Sequence, residues 1–212
     1  MRRIFIFIFL IFALSSSQQT AKADESVTDA ATGSVVFTAA AATLLASPVV
    51  TAQVLHGDVL IFPAAKIQFS QQGNPFLLGL GLEGQWNKGF YGLEFSASPQ
   101  KAPGDFSFVH QEGKQDVKRA ADFYGSFGAY GGMLLHLGRV TNLRYGGELS
   151  LEFAHDTKVK NDHLSVMPIG GLLFGLQYKP VEHLIIGLDI SGGYGGLSGL
   201  YTRGATKVAL SF

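Results

Sequence analysis

The chain has 212 residues with 16 basic and 16 acidic side chains, 27 glycines, 17 Phe, 7 Tyr and no cysteine. That charge balance argues against a nucleic-acid partner and against a basic patch for a membrane surface. The absence of cysteine excludes a disulfide framework and a thiolate metal site, and the length suits one domain.

Residues 1–23 read as a secretory signal peptide. Arg2 and Arg3 supply the positive start, Ile4 to Leu14 a short apolar core, and Ala21-Lys22-Ala23 a small-x-small cleavage site. Those eleven apolar residues are too few to cross a bilayer. Cleavage would remove three of the 16 cations and no anion, so the mature chain would carry a small net negative charge.

Residues 24–57 form a lead-in. Asp24 to Gly33 is small and polar, as a tether is. Ser34 to Leu55 carries no charge and is rich in Ala, Val and Thr, with Pro48 inside it. Ala, Ser and Thr contribute little to membrane insertion, so a short helix or irregular segment is expected here, with a strand pair as the alternative.

From Asp58 the chain repeats a unit of about ten alternating residues and a turn. Asp58 to Ser70 sets Val59, Ile61, Ala65, Ile67 and Phe69 against Lys66 and Gln68. Phe76 to Trp86 sets Leu78, Leu80 and Leu82 against Glu83 and Gln85, and Asn87-Lys88-Gly89 turns the chain. Phe90 to Ser98 follows with Tyr91, Leu93 and Phe95 opposite Glu94 and Ser96. Pro99 to Ala120 reads as a long polar loop, functional or mobile.

The fourth strand is expected over Ala121 to Leu137 and the fifth over Asn142 to Ala154, where Leu143, Tyr145, Leu149, Leu151 and Phe153 oppose Arg144, Glu148, Ser150 and Glu152. A polar loop, His155 to Asp162, leads to a sixth strand from Leu164 to Tyr178. Lys179 to Glu182 turns into a seventh bearing Leu184, Ile186, Leu188 and Ile190 against Asp189 and Ser191. A Gly-rich loop, Ser191 to Tyr201, precedes the last strand, in which Thr202, Thr206, Val208, Leu210 and Phe212 oppose Arg203 and Lys207.

A period of two makes these strands, and alternation alone fits a sandwich edge as well as a barrel stave. Three features choose a barrel in lipid. Every charge within a strand core (Lys66, Glu83, Glu94, Arg144, Glu148, Glu152, Asp189, Arg203, Lys207) lies on the polar face, whereas a soluble lipocalin-like barrel would place charges outside. Connections are short after the second, fourth and sixth strands and longer after the third, fifth and seventh, as periplasmic turns and outer loops are. Aromatics band toward both strand ends, with Trp86, Tyr91, Tyr145, Tyr178 and Phe212 at one and Phe69, Phe76, Phe95, Phe123 and Phe153 at the other. The fold class expected is all-β, an antiparallel up-and-down transmembrane β-barrel of about eight strands over residues 58–212. Its narrow interior would be filled by side chains, with Glu148 and Glu152 paired to Arg144, Lys66, Arg203 or Lys207 and with Tyr124, Tyr130 and Met167 adding bulk.

On these residues the chain resembles the small eight-stranded outer-membrane proteins of Gram-negative bacteria, the OmpA and OmpX type of barrel. The terminal Val208-x-Leu210-x-Phe212 looks like the carboxy-terminal signal read by the barrel assembly machinery. The resemblance implies export through the periplasm to the outer membrane, contact with its lipid and lipopolysaccharide, a monomer, and a structural or surface-interaction role. A narrow passive pore is one alternative. Another is a lipid A deacylase, a family that uses a His-x-Ser pair: His163-Leu164-Ser165 has that spacing. The acid of that family would fall near Gln177, and Val166 stands where its Asn usually follows the Ser, so no catalytic residue is assigned. No cofactor is expected, and His136, His155 and His183 lack the spacing of metal ligands. The loops Pro99 to Ala120 and Ser191 to Tyr201 are the candidates for surface contacts.

Overall fold

A computed structural model describes residues 46–108, 117–156 and 163–212, with the side chains of 106–108, 117–119, 156 and 163 left aside. The expected signal peptide, the tether and residues 34–45 of the lead-in lie outside the described residues. From Pro48 onward the chain forms one compact unit.

Among the described residues ten strands follow in order: β1 Asp58–Ser70, β2 Phe76–Trp86, β3 Gly89–Ala97, β4 Ala102–Phe108, β5 Val117–Ala121, β6 Phe123–His136, β7 Thr141–Asp156, β8 His163–Val181, β9 Leu184–Gly195 and β10 Gly199–Ser211. Eight of them close a barrel in the order β1-β10-β9-β8-β7-β6-β3-β2, with β2 returning to β1. Every neighbouring pair is antiparallel. Closure pairs the first stave with the last, Leu60 opposite Ser211 and Lys66 opposite Ala205, so no edge of the barrel is left unpaired.

The alternation in the sequence maps onto inside and outside. Leu80 is 68% exposed, Leu149 69% and Leu188 58%, all on the outer wall, while Glu83, Arg144 and Glu152 are at most 1% exposed on the inside. The nine charges expected on the polar face of the strand cores all occupy the inward phase. The aromatic residues expected at the strand ends share the outward phase, and at the loop end the Phe123 and Phe153 rings stack at 5.7 Å and Phe95 and Phe153 at 6.0 Å.

Four expectations about connections are corrected. Pro99 to Ala120 is no plain loop, because β4 and β5 pair within it as a separate two-stranded ribbon. Gly73 bridges Gly104, tying the ribbon to the β1–β2 connection. Ser191 to Tyr201 is almost all strand: β9 and β10 run to Gly195 and from Gly199, leaving a turn at 196–198. Glycine was read there as a breaker, but cross-strand pairing supplies the order that glycine lacks locally. The alternation of short and long connections therefore fails at this last hairpin. The fold also turns between β8 and β9 over two residues, Glu182 and His183, after an irregularity between Tyr178 and Val181.

The lead-in contains helix α1 at residues 46–54. Proline is tolerated in a first helical turn, where its missing N–H has no partner to lose. The helix ends as His56 takes a left-handed conformation, φ 53°, and Gly57 donates its N–H to Ala52 at 2.7 Å. A Cβ on Gly57 would stand 1.8 Å from the Gln85 carbonyl oxygen. Only glycine lets the chain reverse this close to β2.

Candidate functional site

The interior is expected to be filled by charged side chains with Tyr124, Tyr130 and Met167, yet two apolar clusters line it. Toward the short-turn end lie Leu60, Phe62, Phe90, Leu134 and Ile185 with Ala209. Toward the loop end lie Leu77, Ala102, Ala121, Tyr124, Ala154 and Leu197, with Met167 against them. The missed residues had a signal of their own. Val59-Leu60-Ile61-Phe62, Met133-Leu134-Leu135 and Leu184-Ile185-Ile186 break the alternation with unbroken apolar runs, the mark of a strand that is apolar on both faces.

Between the clusters the charges interlock. Arg144 reaches Glu83 at 2.8 Å and Asp189 at 3.5 Å. Lys207 meets Asp189 at 2.8 Å and Glu94 at 3.8 Å, and Lys66 meets Glu94 at 2.5 Å. Arg203 stands 3.7 Å from Glu148, whose carboxylate also accepts the Tyr201 hydroxyl at 2.5 Å. Apolar rings support the cations: the Arg144 guanidinium lies 4.1 Å above the Phe90 ring, and Lys207 Nζ lies 4.7 Å from Phe62 and 4.4 Å from Tyr130. Such contacts gain strength where water is excluded.

Glu152 behaves differently from its expected place in this network, since among the described residues it forms no ion pair within 4 Å. Its carboxylate accepts the Tyr124 hydroxyl at 2.8 Å and the backbone N–H groups of Leu197 and of Ser198, the latter at 2.9 Å. Successive backbone N–H groups around one anion make a nest, here filled by a side chain of the same protein. The turn at 196–198 thereby folds into the barrel mouth, with Leu197 1% and Ser198 0% exposed. A chain of donors links this latch to the ions below: Arg203 donates to Gln68 at 2.7 Å, Gln68 to Tyr124 at 3.0 Å, and Tyr124 to Glu152.

Two cavities between these side chains are small. One cavity of about 20 Å³ is bordered by Lys66, Glu94, Tyr130, Glu148, Asp189 and Lys207, and a second of about 10 Å³ by Phe62, Glu83, Arg144 and Gln177. Each has room for about one water.

The other residues singled out from sequence scatter. Ser165 pairs with Ala154 at the loop end of β8, while Gln177 lies twelve residues along the same strand, roughly 40 Å away at strand rise. Gln177 accepts from Gln85 at 3.0 Å near the short-turn end, so the two are not brought together. The backbone of His163 sits opposite Asp156, and its side chain lies outside the described residues. His136 bonds Asn142 at 2.7 Å and the Asn87 carbonyl at 2.8 Å, pinning two short turns, and His183 lies 3.2 Å from the Ser211 carbonyl. No group of three His or carboxylate side chains suited to a metal ion occurs among the described residues.

The closed eight-stranded barrel is shared with known structures. The N-terminal β-barrel domain of Pseudomonas aeruginosa OprF matches over 74% of this chain and 99% of its own, with a TM-score of 0.51 and 15% identity. Neisserial surface protein A matches over 74% and 97%, with a TM-score of 0.54 and 15% identity. The fold is the eight-stranded antiparallel barrel. At these identities the likeness is one of fold. No family model and no curated protein sequence matches the chain.

Proposed function

We propose that this chain is an integral outer-membrane barrel with a closed, non-conducting interior and a structural or surface-interaction role. One observation carries the reading: the polarity of a soluble barrel is inverted. Nine strand-core charges are turned inward, while Leu80, Leu149, Leu172 and Ile190 stand 62–69% exposed on the outer wall. In water such a wall would be an aggregation surface many times larger than the apolar patch of an ordinary monomer. In hydrocarbon it costs nothing, and the backbone is satisfied because the sheet closes.

The remainder of the reading follows from that placement. The wall contacts outer-membrane lipid and lipopolysaccharide, and the aromatic bands rest at the two headgroup levels. Closure leaves the barrel itself no edge for a partner strand, which favours a monomer. The expected signal peptide and the terminal Val208-x-Leu210-x-Phe212 supply the export route and the handle for the barrel assembly machinery. Two apolar layers and the folded-in turn obstruct the bore, which favours a structural or surface role over a passive pore.

Membrane fractionation joined to protease treatment of intact cells tests location and orientation. Cleavage within 99–120 and protection of the turns at 87–88 and 182–183 is the expected pattern; recovery in the soluble periplasmic fraction overturns the reading. Planar-bilayer recording tests the closed interior, and steady channels of uniform size contradict it.

A further inference from the structure

Helix α1 is not inside the barrel. Pro48 and Ala52, four residues apart and so on one helical face, are buried against Gly84 of β2. Gly84 lies in the outward phase, between Leu82 and Trp86, and pairs with Val59 on one side and Tyr91 on the other. A Cβ on Gly84 would meet the Pro48 carbonyl oxygen at 2.3 Å and the Ala52 methyl at 3.1 Å. The missing side chain is thus a notch in the outer wall that the helix occupies.

The opposite face of the helix is unusual for a surface element. Val50 is 53% and Val54 69% exposed, again four residues apart, and Leu55 just beyond is 46% exposed. Residues 46–57 contain no Asp, Glu, Lys or Arg, and the exposed polar side chains are Gln53 and His56 beside Val50, Val54 and Leu55, whereas a helix lying between protein and water presents charged groups on its free side. This apolar face continues the apolar wall at the height of Trp86 and Tyr91, the aromatic band of the short-turn end.

We propose that α1 is a lipid-immersed helix, clasped to the outside of the barrel at the Gly84 notch and presenting Val50, Val54 and Leu55 to acyl chains just inside the headgroup boundary. Its partner is bilayer lipid. The inference rests on the membrane reading above and adds a helical element to a wall otherwise made of strands. A helix in this position needs no charges because its free side never meets water, and it needs small wall-facing residues because the strand backbone lies directly beneath.

Trp86 is the only tryptophan, so Trp86→Phe provides a silent background for single reporters. Into it go Val54→Trp on the helix and Leu188→Trp on the open wall. Each full-length variant is reconstituted in phosphatidylcholine vesicles with and without acyl-brominated phosphatidylcholine. The expected result is loss of emission for both reporters in brominated vesicles, with both shielded from acrylamide. A Val54→Trp signal indifferent to bromine and open to acrylamide, beside a quenched Leu188→Trp, overturns the helix proposal and leaves the membrane reading standing. Failure of both to quench in a folded barrel overturns the two together. Adding Gly84→Val fills the notch: the Val54→Trp emission then shifts to the red and gains acrylamide access while Leu188→Trp does not change. An unchanged Val54→Trp signal in that variant removes the clasp from the proposal.

Discussion

Glu152 on β7 and Ser198 in the β9–β10 turn, 46 residues apart in the chain, are joined by a 2.9 Å bond from the Ser198 N–H to the Glu152 carboxylate. That bond explains an imbalance inside the barrel. The strands turn five carboxylates and four cations inward, and four of the carboxylates, Glu83, Glu94, Glu148 and Asp189, stand beside cations. The fifth is satisfied by a hydroxyl and by backbone dipoles instead. The odd charge is thus spent on holding a turn in the mouth of the barrel.

Glu152→Ala should release that turn and leave the staves intact. Hydrogen bonds to a charged acceptor contribute about 1.5–3 kcal/mol each, so the Leu197 and Ser198 amides should exchange far faster while those of Leu60 and Leu134 stay protected. Glu152→Gln keeps an acceptor and should fall between. Hydrogen exchange read by mass spectrometry on the vesicle-bound protein checks this, and uniform exchange changes across all strands would show that Glu152 supports the whole barrel.

Arg144 touches two carboxylates and is 1% exposed. Arg144→Met should cost about 3–5 kcal/mol, because Glu83 and Asp189 are left as buried charges with one cation fewer. The double variant Arg144→Met, Glu83→Gln should recover part of that loss, since the uncompensated charge goes with its partner. Urea unfolding in vesicles, followed by tryptophan emission, gives both values, and additive losses would deny the coupling.

How much of this was legible depended on periodicity. Where polar and apolar residues alternated, as at Arg144 to Phe153, the inside and outside of the barrel could be read directly from side-chain type. Where the interior is itself apolar, at Leu60, Phe62, Leu134 and Ile185, both faces look alike and the inner cluster was hidden. The partners of Glu152 were hidden for another reason. They are backbone N–H groups of a turn, which carry no side-chain signature, and the glycines around them read as a loop until strand pairing ordered them. Helix α1 was expected only as one option, because what places it is a notch at Gly84, a feature of packing.

The outer wall should tolerate charge according to depth. Leu149, 69% exposed midway along β7, faces the centre of the hydrocarbon under the membrane reading, whereas Leu210 lies near the short-turn end opposite Ile61. Leu149→Arg should cost about 2–4 kcal/mol and Leu210→Arg roughly 0–1 kcal/mol. Equal small effects at both sites in reversible vesicle unfolding would mean that the wall meets water.

Glycines facing the bore and the wall should respond oppositely to a methyl group. A Cβ on Gly92 would stand 2.3 Å from the Tyr130 hydroxyl and 2.4 Å from its ring, and one on Gly81 would stand 2.1 Å from the Phe62 ring. Both rings support Lys207, so moving either disturbs the ion layer as well as the apolar packing. Gly92→Ala and Gly81→Ala should each cost about 1–3 kcal/mol through overpacking. Gly204, in the outward phase of β10, has nothing within 4 Å of its Cβ position. Gly204→Ala should therefore stabilise by about 0.4–1 kcal/mol, by narrowing the unfolded ensemble without a clash. The three variants measured side by side test whether the filled interior, rather than the strand scaffold alone, sets the stability of the barrel: a loss at Gly204 equal to that at Gly92 would point to backbone conformation as the cause.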